Sequence, residues 1–395
     1  MARYDFDRII DRCGTQCIKY DNLCQTFGEG DLFPMWIADM DFAVCPEVTA
    51  ALRDRLTHDI FGYTCPADSY WKSIINWTRS RHGLEIRREE LAFVPGIVRG
   101  IAFAINFFTR EGDGIVIQPP VYHPFRIVPE GNGRIVIDNP LIENTCDSGS
   151  CYRMDLEGLE EIFRTKRPTM MILCNPHNPA GIQWDAETLA SVARLAKKYG
   201  VIVISDEIHG DLMLGNRRHI PFLSSCPEAA EVGITFAAPS KTFNIAGLES
   251  SWMVVRNPKL REPFYKWMGT NEFSSPSFMA WMAAEAAYTH GAEWLDEALA
   301  YLEENVAEVE RFCCEKMPAI KPIRPEASFL VWLDCRQLGL SQNKLEELFL
   351  KKAHLALNSG TMFGKGGEGF MRLNIGLPRK RLTEALEKLR QALEE

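Results

Sequence analysis

Between residues 90 and 255, seven short β-rich runs alternate with segments of helical pattern: LAFV (91–94), IVIQ (115–118), RIVID (134–138), MMILC (170–174), VIVIS (201–205), ITFAA (234–238) and WMVV (252–255). Runs such as VIVIS are apolar at nearly every position rather than every second one, as a strand covered on both faces requires. Strands that alternate with helices build a parallel or mixed sheet between two helical layers. The pattern predicts an α/β fold whose large domain carries a seven-stranded, mostly parallel sheet. Such sheets bind ligands just beyond the carboxyl ends of their strands, so the residues that follow these runs are the first candidates for chemistry.

The remaining sequence divides around that block. At 395 residues the chain is too long for one ordinary core. Two helical patterns, about 276–289 and 291–316, lead into a block containing SFLVWLD (328–334) and MRLNIG (371–376). We expect a large domain over residues 46–288 and a smaller α+β domain over 289–395. The first 45 residues contain LFPMWIADMDF, too short for a core of its own, and are expected to pack with the small domain.

Composition narrows the functional classes. Apolar residues at 46% and charged residues at 25% describe a folded globular protein. The formal charge of −9 comes from scattered acids with no basic run, which argues against nucleic acid as a partner. No apolar stretch reaches the roughly 18 to 20 residues that cross a bilayer. The start, MARYDFDRIIDRCGT, carries acids where a signal peptide has an apolar core, so a cytoplasmic protein is expected. The 12 cysteines include no CxxC pair, and packing rather than a metal is expected of residues such as Cys174.

Several polar residues stand at the strand ends. In FAAPSKTFNIAG an apolar run ends directly before Lys241, and a partly desolvated lysine can lose its proton readily enough to bond an aldehyde. VIVISDEIHGDL ends in Asp206, costly to bury unless it meets a cation such as a protonated pyridine nitrogen; the alternative is a cap on the following turn. Glu207 reads as structural, and His209 either faces the same site or packs. LCNPHNPAG forms a tight loop whose Asn178 amide can donate to a ring oxygen, or serve only the turn. In FVPGIVRGIAFAINFF, Gly96 opens an amphipathic helix whose exposed amides can seat a phosphate. Tyr122 in QPPVYHPF and Tyr63 in IFGYT offer aromatic faces for a flat ring, or pack in the core. Arg372 in MRLNIG suits a substrate carboxylate, against the alternative of a surface ion pair.

The ordered set PGIV, PPVYHPF, NPHNPAG, SDEIHGD, SKTFNIAG and MRLNIG resembles the fold-type I, aspartate-aminotransferase-like enzymes that use pyridoxal 5′-phosphate. The opening YDFDRIIDRCGTQCIKYD, with MWIADMDF and IFGYT, resembles one branch, the cystathionine β-lyase or cysteine-S-conjugate β-lyase group of bacterial C–S lyases. The resemblance implies that Lys241 carries the cofactor as an imine and Asp206 keeps its pyridine nitrogen protonated. Asn178 would bond the ring's phenolic oxygen, and Tyr122 would stack on the ring. Gly96, Ile97, Val98 and Ser240 would sit at the phosphate, and Arg372 would take the α-carboxylate of an amino-acid substrate. The residue matching Tyr63 comes from the neighbouring subunit in that branch, which implies a homodimer with shared sites. Glu249 stands where aminotransferases commonly place a phosphate-binding arginine, and His209 where many have a tyrosine.

The activity so implied is β-elimination from a cysteine S-conjugate to thiol, pyruvate and ammonia, with Lys241 as general base and Lys241 or Tyr122 protonating the sulfur. The alternatives are an aminotransferase on the same fold, or a protein of that fold with an added regulatory binding role.

Overall fold

The computed structural model describes residues 3–146 and 149–394. All seven anticipated runs form one sheet: β1 (Leu91–Val94), β2 (Gly114–Ile117), β3 (Ile135–Asp138), β4 (Met170–Cys174), β5 (Ile202–Asp206), β6 (Gly233–Ala237) and β7 (Ser251–Val254). Their order across the sheet is β1-β7-β6-β5-β4-β2-β3. All neighbours run parallel except β7, which is antiparallel to both β1 and β6. The fold is the α/β architecture with a seven-stranded, mostly parallel sheet that the run pattern predicts.

Alternation along the strands explains why the central runs are apolar throughout. In β4, Met171 and Leu173 join a core with Leu159 and Phe163 of helix Leu156–Lys166 and with Leu189 and Val192 of helix Ala186–Tyr199. Met170 and Ile172 point the other way, into a core with Ile101 and Ile105 of helix α1 (Ile97–Phe108) and Phe264 of helix Pro258–Thr270. Both faces are dry, so a charged residue can stand only where a strand ends.

Helix α1 reaches the sheet through Ile97, Gly100, Ile101, Ala104 and Ile105, a stripe at helical spacing. Gly100 permits that approach: a Cβ there would lie 2.5 Å from Cε1 of Phe236 in β6 and 3.3 Å from Cγ2 of Val94.

A second sheet of four strands, in the order β8-β9-β11-β10, is built from β8 (Lys321–Ile323), β9 (Leu330–Asp334), β10 (Asn358–Ser359) and β11 (Phe370–Asn374). Helices α2 (Phe278–His290) and α3 (Ala292–Lys316) precede it, as the helical patterns predict. From the amino-terminal segment, the two-residue strand Phe33–Pro34 pairs in parallel with Leu355–Ala356. A hairpin, Ile142–Cys146 with Gly149–Arg153, has no counterpart in the sequence reading; its ENTC and GSCYR runs lack the apolar pattern of the other strands.

Gly100→Ala should cost about 1–3 kcal/mol, because Phe236 is fully buried and cannot yield. Gly269→Ala, at a helical glycine with nothing within 4 Å, should be neutral or stabilising. Urea unfolding midpoints read the contrast, and an unchanged midpoint for Gly100→Ala contradicts the packing described.

Candidate active site

The carboxyl ends of β4, β5 and β6 open, with the amino terminus of α1, onto one cavity of about 270 Å³. Of the eleven residues given a catalytic or binding role from sequence, nine line it: Gly96, Ile97, Val98, Tyr122, Asn178, Asp206, His209, Ser240 and Lys241. Two do not. Arg372, on β11, joins through a hydrogen bond from Nη1 to Asn178 Oδ1 at 3.1 Å. Tyr63 lies in a stretch, residues 56–65, in which every residue is exposed, and its ring touches no part of this cavity.

Lys241 sits in a short helix, Pro239–Thr242, just after β6. Burial lowers its proton affinity to about 8, against the pull of Asp39 and Asp206. Its Nζ donates to the carbonyl of Ala38 at 2.6 Å. Asp206 ends β5 on the same face as Ile204, 4% exposed, with its carboxyl pushed up to about 7 by burial. Its Oδ1 also accepts from the backbone N–H of Ile208 at 3.0 Å, so the turn-capping role weighed from sequence is present alongside the cavity-facing one. A buried carboxylate held by one backbone N–H is poised for a cation.

Gly96 precedes α1 with φ 105°, a conformation that favours glycine, and no side chain caps the helix. The first-turn amides of Ile97 and Val98 are thereby left for an anion at the cavity wall. Asn178 is 6% exposed; because its Oδ1 accepts from Arg372, its Nδ2 is the atom left to donate. Tyr122 is fixed by its backbone N–H to Asn178 O at 3.0 Å. Burial raises the affinity of its phenol for its proton, and Asp206 adds to this. His209, at 3% exposure with Nδ1 unpartnered, is held near 3 by burial and is a neutral imidazole.

Arg372 is buried and unpaired. Nη2 donates to Trp36 O at 2.9 Å and Asn358 Oδ1 at 2.6 Å, while Nε is buried without a partner. Among the described residues no carboxylate lies within ion-pairing distance of it, so the surface ion pair weighed from sequence does not form. Burial brings it down to about 10, and its guanidinium stacks over Phe363 at 4.9 Å. A guanidinium so enclosed with only neutral acceptors lacks an anion.

Glu207 points to the opposite side of the strand end. It accepts from Ser205 Oγ at 2.8 Å and the Phe222 N–H at 2.9 Å, and meets His219 Nε2 at 2.9 Å, a structural role in keeping with the sequence reading. Glu249 forms a bidentate pair with Arg99, at 2.7 and 2.8 Å, on the cavity rim. Sequence reasoning missed Ala38, Trp36 and Asn358, which contact Lys241 and Arg372 through a backbone carbonyl or from a two-residue strand. Of these only MWIADMDF carried a signal, as an extended apolar segment.

A family model for aminotransferase class I and II matches residues 31–389. The chain belongs to that family. It is similar to cystathionine beta-lyase PatB of Bacillus subtilis (strain 168), at 42% identity over 98% of this chain and 100% of the relative. Among solved structures it resembles cystalysin from Treponema denticola, which contains a pyridoxal 5′-phosphate cofactor, with TM-score 0.94, 33% identity and 99% of both chains covered. It also resembles the PLP-bound C-S lyase from Staphylococcus hominis, with TM-score 0.92, 31% identity and coverage of 100% of this chain and 99% of the other.

Proposed function

We propose that this chain is a pyridoxal 5′-phosphate-dependent carbon–sulfur β-lyase, cleaving L-cystathionine or related cysteine S-conjugates to thiol, pyruvate and ammonia. The observation that carries the reading is one cavity lined by a desolvated lysine amine and a buried carboxylate, Lys241 and Asp206. The full-length similarity to PatB and to C-S lyase structures selects the lyase chemistry from the wider family.

The residues present fit the cofactor. Lys241 would hold it covalently, Asp206 would face its ring nitrogen as a counter-charge, and Asn178 would donate to its ring oxygen. The uncapped amino terminus of α1, at Gly96 to Val98, with the Ser240 hydroxyl, would meet the phosphate, and Tyr122 and His209 would flank the ring. When bound, pyridoxal phosphate supplies an electron sink for the substrate's Cα.

The chain's own groups do the rest. Arg372 binds the substrate α-carboxylate, the anion its buried guanidinium lacks. Lys241, at about 8, is partly deprotonated at neutral pH and takes the Cα proton as general base. Lys241, or Tyr122 with its tightly held proton, delivers a proton to the departing sulfur.

The exposed stretch 56–65, with Ile60, Phe61 and Tyr63 all more than half exposed, supports a homodimer in which Tyr63 reaches the partner's site. We propose with it a cytoplasmic setting, supported by the buried, unbridged Cys45, Cys174, Cys313 and Cys335. The division into residues 1–45, 46–288 and 289–395 is proposed on the two separate sheets and the pairing of Phe33–Pro34 with Leu355–Ala356.

The pure protein should absorb visible light through bound cofactor, and should release pyruvate from L-cystathionine without any added 2-oxo acid. Dependence on a 2-oxo acid makes it an aminotransferase instead. Arg372→Lys keeps the charge but loses the planar fork, and kcat/KM should fall about 10- to 100-fold, mostly through KM; an unchanged KM removes Arg372 from carboxylate binding. For the shared site, Tyr63→Ala and Lys241→Ala should each be inactive or nearly so. Mixed and allowed to exchange subunits, they should recover up to about a quarter of wild-type turnover, since half the dimers would carry one intact site. Heterodimers that form without any recovery place Tyr63 outside the partner's site.

A further inference from the structure

Residues 36–40 cross the site as a strap whose five consecutive carbonyls are all taken by side chains. Trp36 O accepts from Arg372 at 2.9 Å, Ile37 O from Asn374 at 2.6 Å and Ala38 O from Lys241 at 2.6 Å. Asp39 O accepts from Asn374 at 2.8 Å and Lys19 at 3.3 Å, and Met40 O from Asn244 at 2.8 Å and Arg12 at 3.2 Å. The two cations of the candidate active site, Lys241 and Arg372, are thus tied to one piece of backbone.

Asp39 of the strap and the adjoining Asp41 form a partly buried charge cluster with Arg12 and Lys19. Asp39 pairs with Arg12 at 2.8 Å and lies 3.5 Å from Lys19. Asp41 pairs with Arg12 at 2.6 Å and Lys19 at 3.0 Å, and accepts from the Tyr20 hydroxyl at 3.0 Å. Lys19 is 1% exposed. Burying Lys19 and Asp41 is costly unless each is paired, and the cluster's two positive and two negative charges balance. Arg12, Asp39 and Asp41 line a second cavity together with Lys241. The groups that act on Lys241 are therefore Asp39 and Asp206, which favour its charged form, and burial and Arg372, which oppose it; among the charges Asp39 acts most strongly.

We propose that Asp39, its charge partly offset by Arg12, is a positioning residue that governs when the Lys241 amine carries a proton, and that the Ala38 carbonyl is where the protonated amine rests. A lysine that takes a proton from Cα must leave the reacting atoms as a cation and still stay within reach. The carbonyl at 2.6 Å accepts that cation, and the neighbouring Asp39 carboxylate favours the charged form. Losing Asp39 would leave the amine deprotonated at lower pH, with a weaker pull back to the Ala38 carbonyl. The inference rests on Lys241 being the reacting amine proposed above, but it can be read without cofactor.

The test is trace acetylation of the full chain, stripped of cofactor, by acetic anhydride between about pH 6 and pH 10. The free Nζ electron pair attacks the carbonyl carbon, acetate leaves, the amine's proton passes to solvent, and the acetyl group on the Lys241 peptide is counted by mass spectrometry. Wild type should show a midpoint near 8. Asp39→Asn removes the nearby negative charge and should move the midpoint to lower pH, by about half a unit or more. Arg12→Gln frees Asp39 from its counter-charge and should move it to higher pH. Opposite signs separate this role from loosened packing, which would lower the thermal midpoint of both variants and move the two profiles together or not at all. Unmoved midpoints, or shifts of one sign, overturn the proposal; if Asp39→Asn fails to fold, the direction shown by Arg12→Gln decides. A wild-type chain that never binds pyridoxal phosphate would defeat the proposed function yet leave these midpoints measurable.

Discussion

A sheet dry on both faces dictates where chemistry can occur in this molecule. Strands β4, β5 and β6 bury apolar side chains on either side along their length. Charged groups are therefore confined to the strand ends, and Asn178, Asp206 and Lys241 follow within a few residues of the last apolar position. Because parallel strands finish at the same edge, three groups distant in sequence converge there. The close seat of α1 on Phe236 adds the fourth component, a helix amino terminus presented at that same edge.

Convergence alone does not set protonation. Lys241, Asp206, His209 and Arg372 are each moved from their ordinary values chiefly by burial, and each in the direction of the neutral form. A site that disfavours charge this consistently is one in which a bound ligand's charges count heavily. The exceptions are informative: Asp39 stays below its usual range despite burial, because Arg12 and Lys19 enclose it. The strap thus brings a permanently ionised group to the edge of a cavity that otherwise drives its members toward neutrality.

Much of this was legible in the sequence, and the limits of legibility are physical. Strand positions could be read because an apolar run with no polar alternation has one main structural use, and the cavity-lining positions of Asn178, Asp206 and Lys241 because each follows shortly after such a run. Tyr63 could be placed only through a family resemblance, since an isolated chain gives an exposed tyrosine no cavity to enter. The role of Ala38 left no trace, because a backbone carbonyl carries no residue signature. Asn358 was equally hidden, sitting on a strand of two residues that no periodicity can reveal. For Arg372 the sequence left an ion pair as open as a ligand role, and only the absence of a carboxylate neighbour among the described residues separates them.

On the proposed reading, the hydrogen bonds of Arg372 make substrate binding more than a local event. A carboxylate arriving at the buried Nε would draw on a guanidinium whose other nitrogens already hold Asn178 on one side and the Trp36 carbonyl on the other. Asn178 lines the cavity beside Asp206, and Trp36 lies two residues from the carbonyl that holds Lys241. Any shift of the guanidinium toward its anion is therefore shared between the ring's side of the site and the strap that holds the base. Each of these bonds runs from a donor on Arg372 to a neutral acceptor, so a guanidinium that moves toward its anion must lengthen or reorient at least one of them. A lysine in place of Arg372 would keep the charge, but its compact ammonium could not span Asn178, Trp36, Asn358 and a carboxylate with the same planar fork.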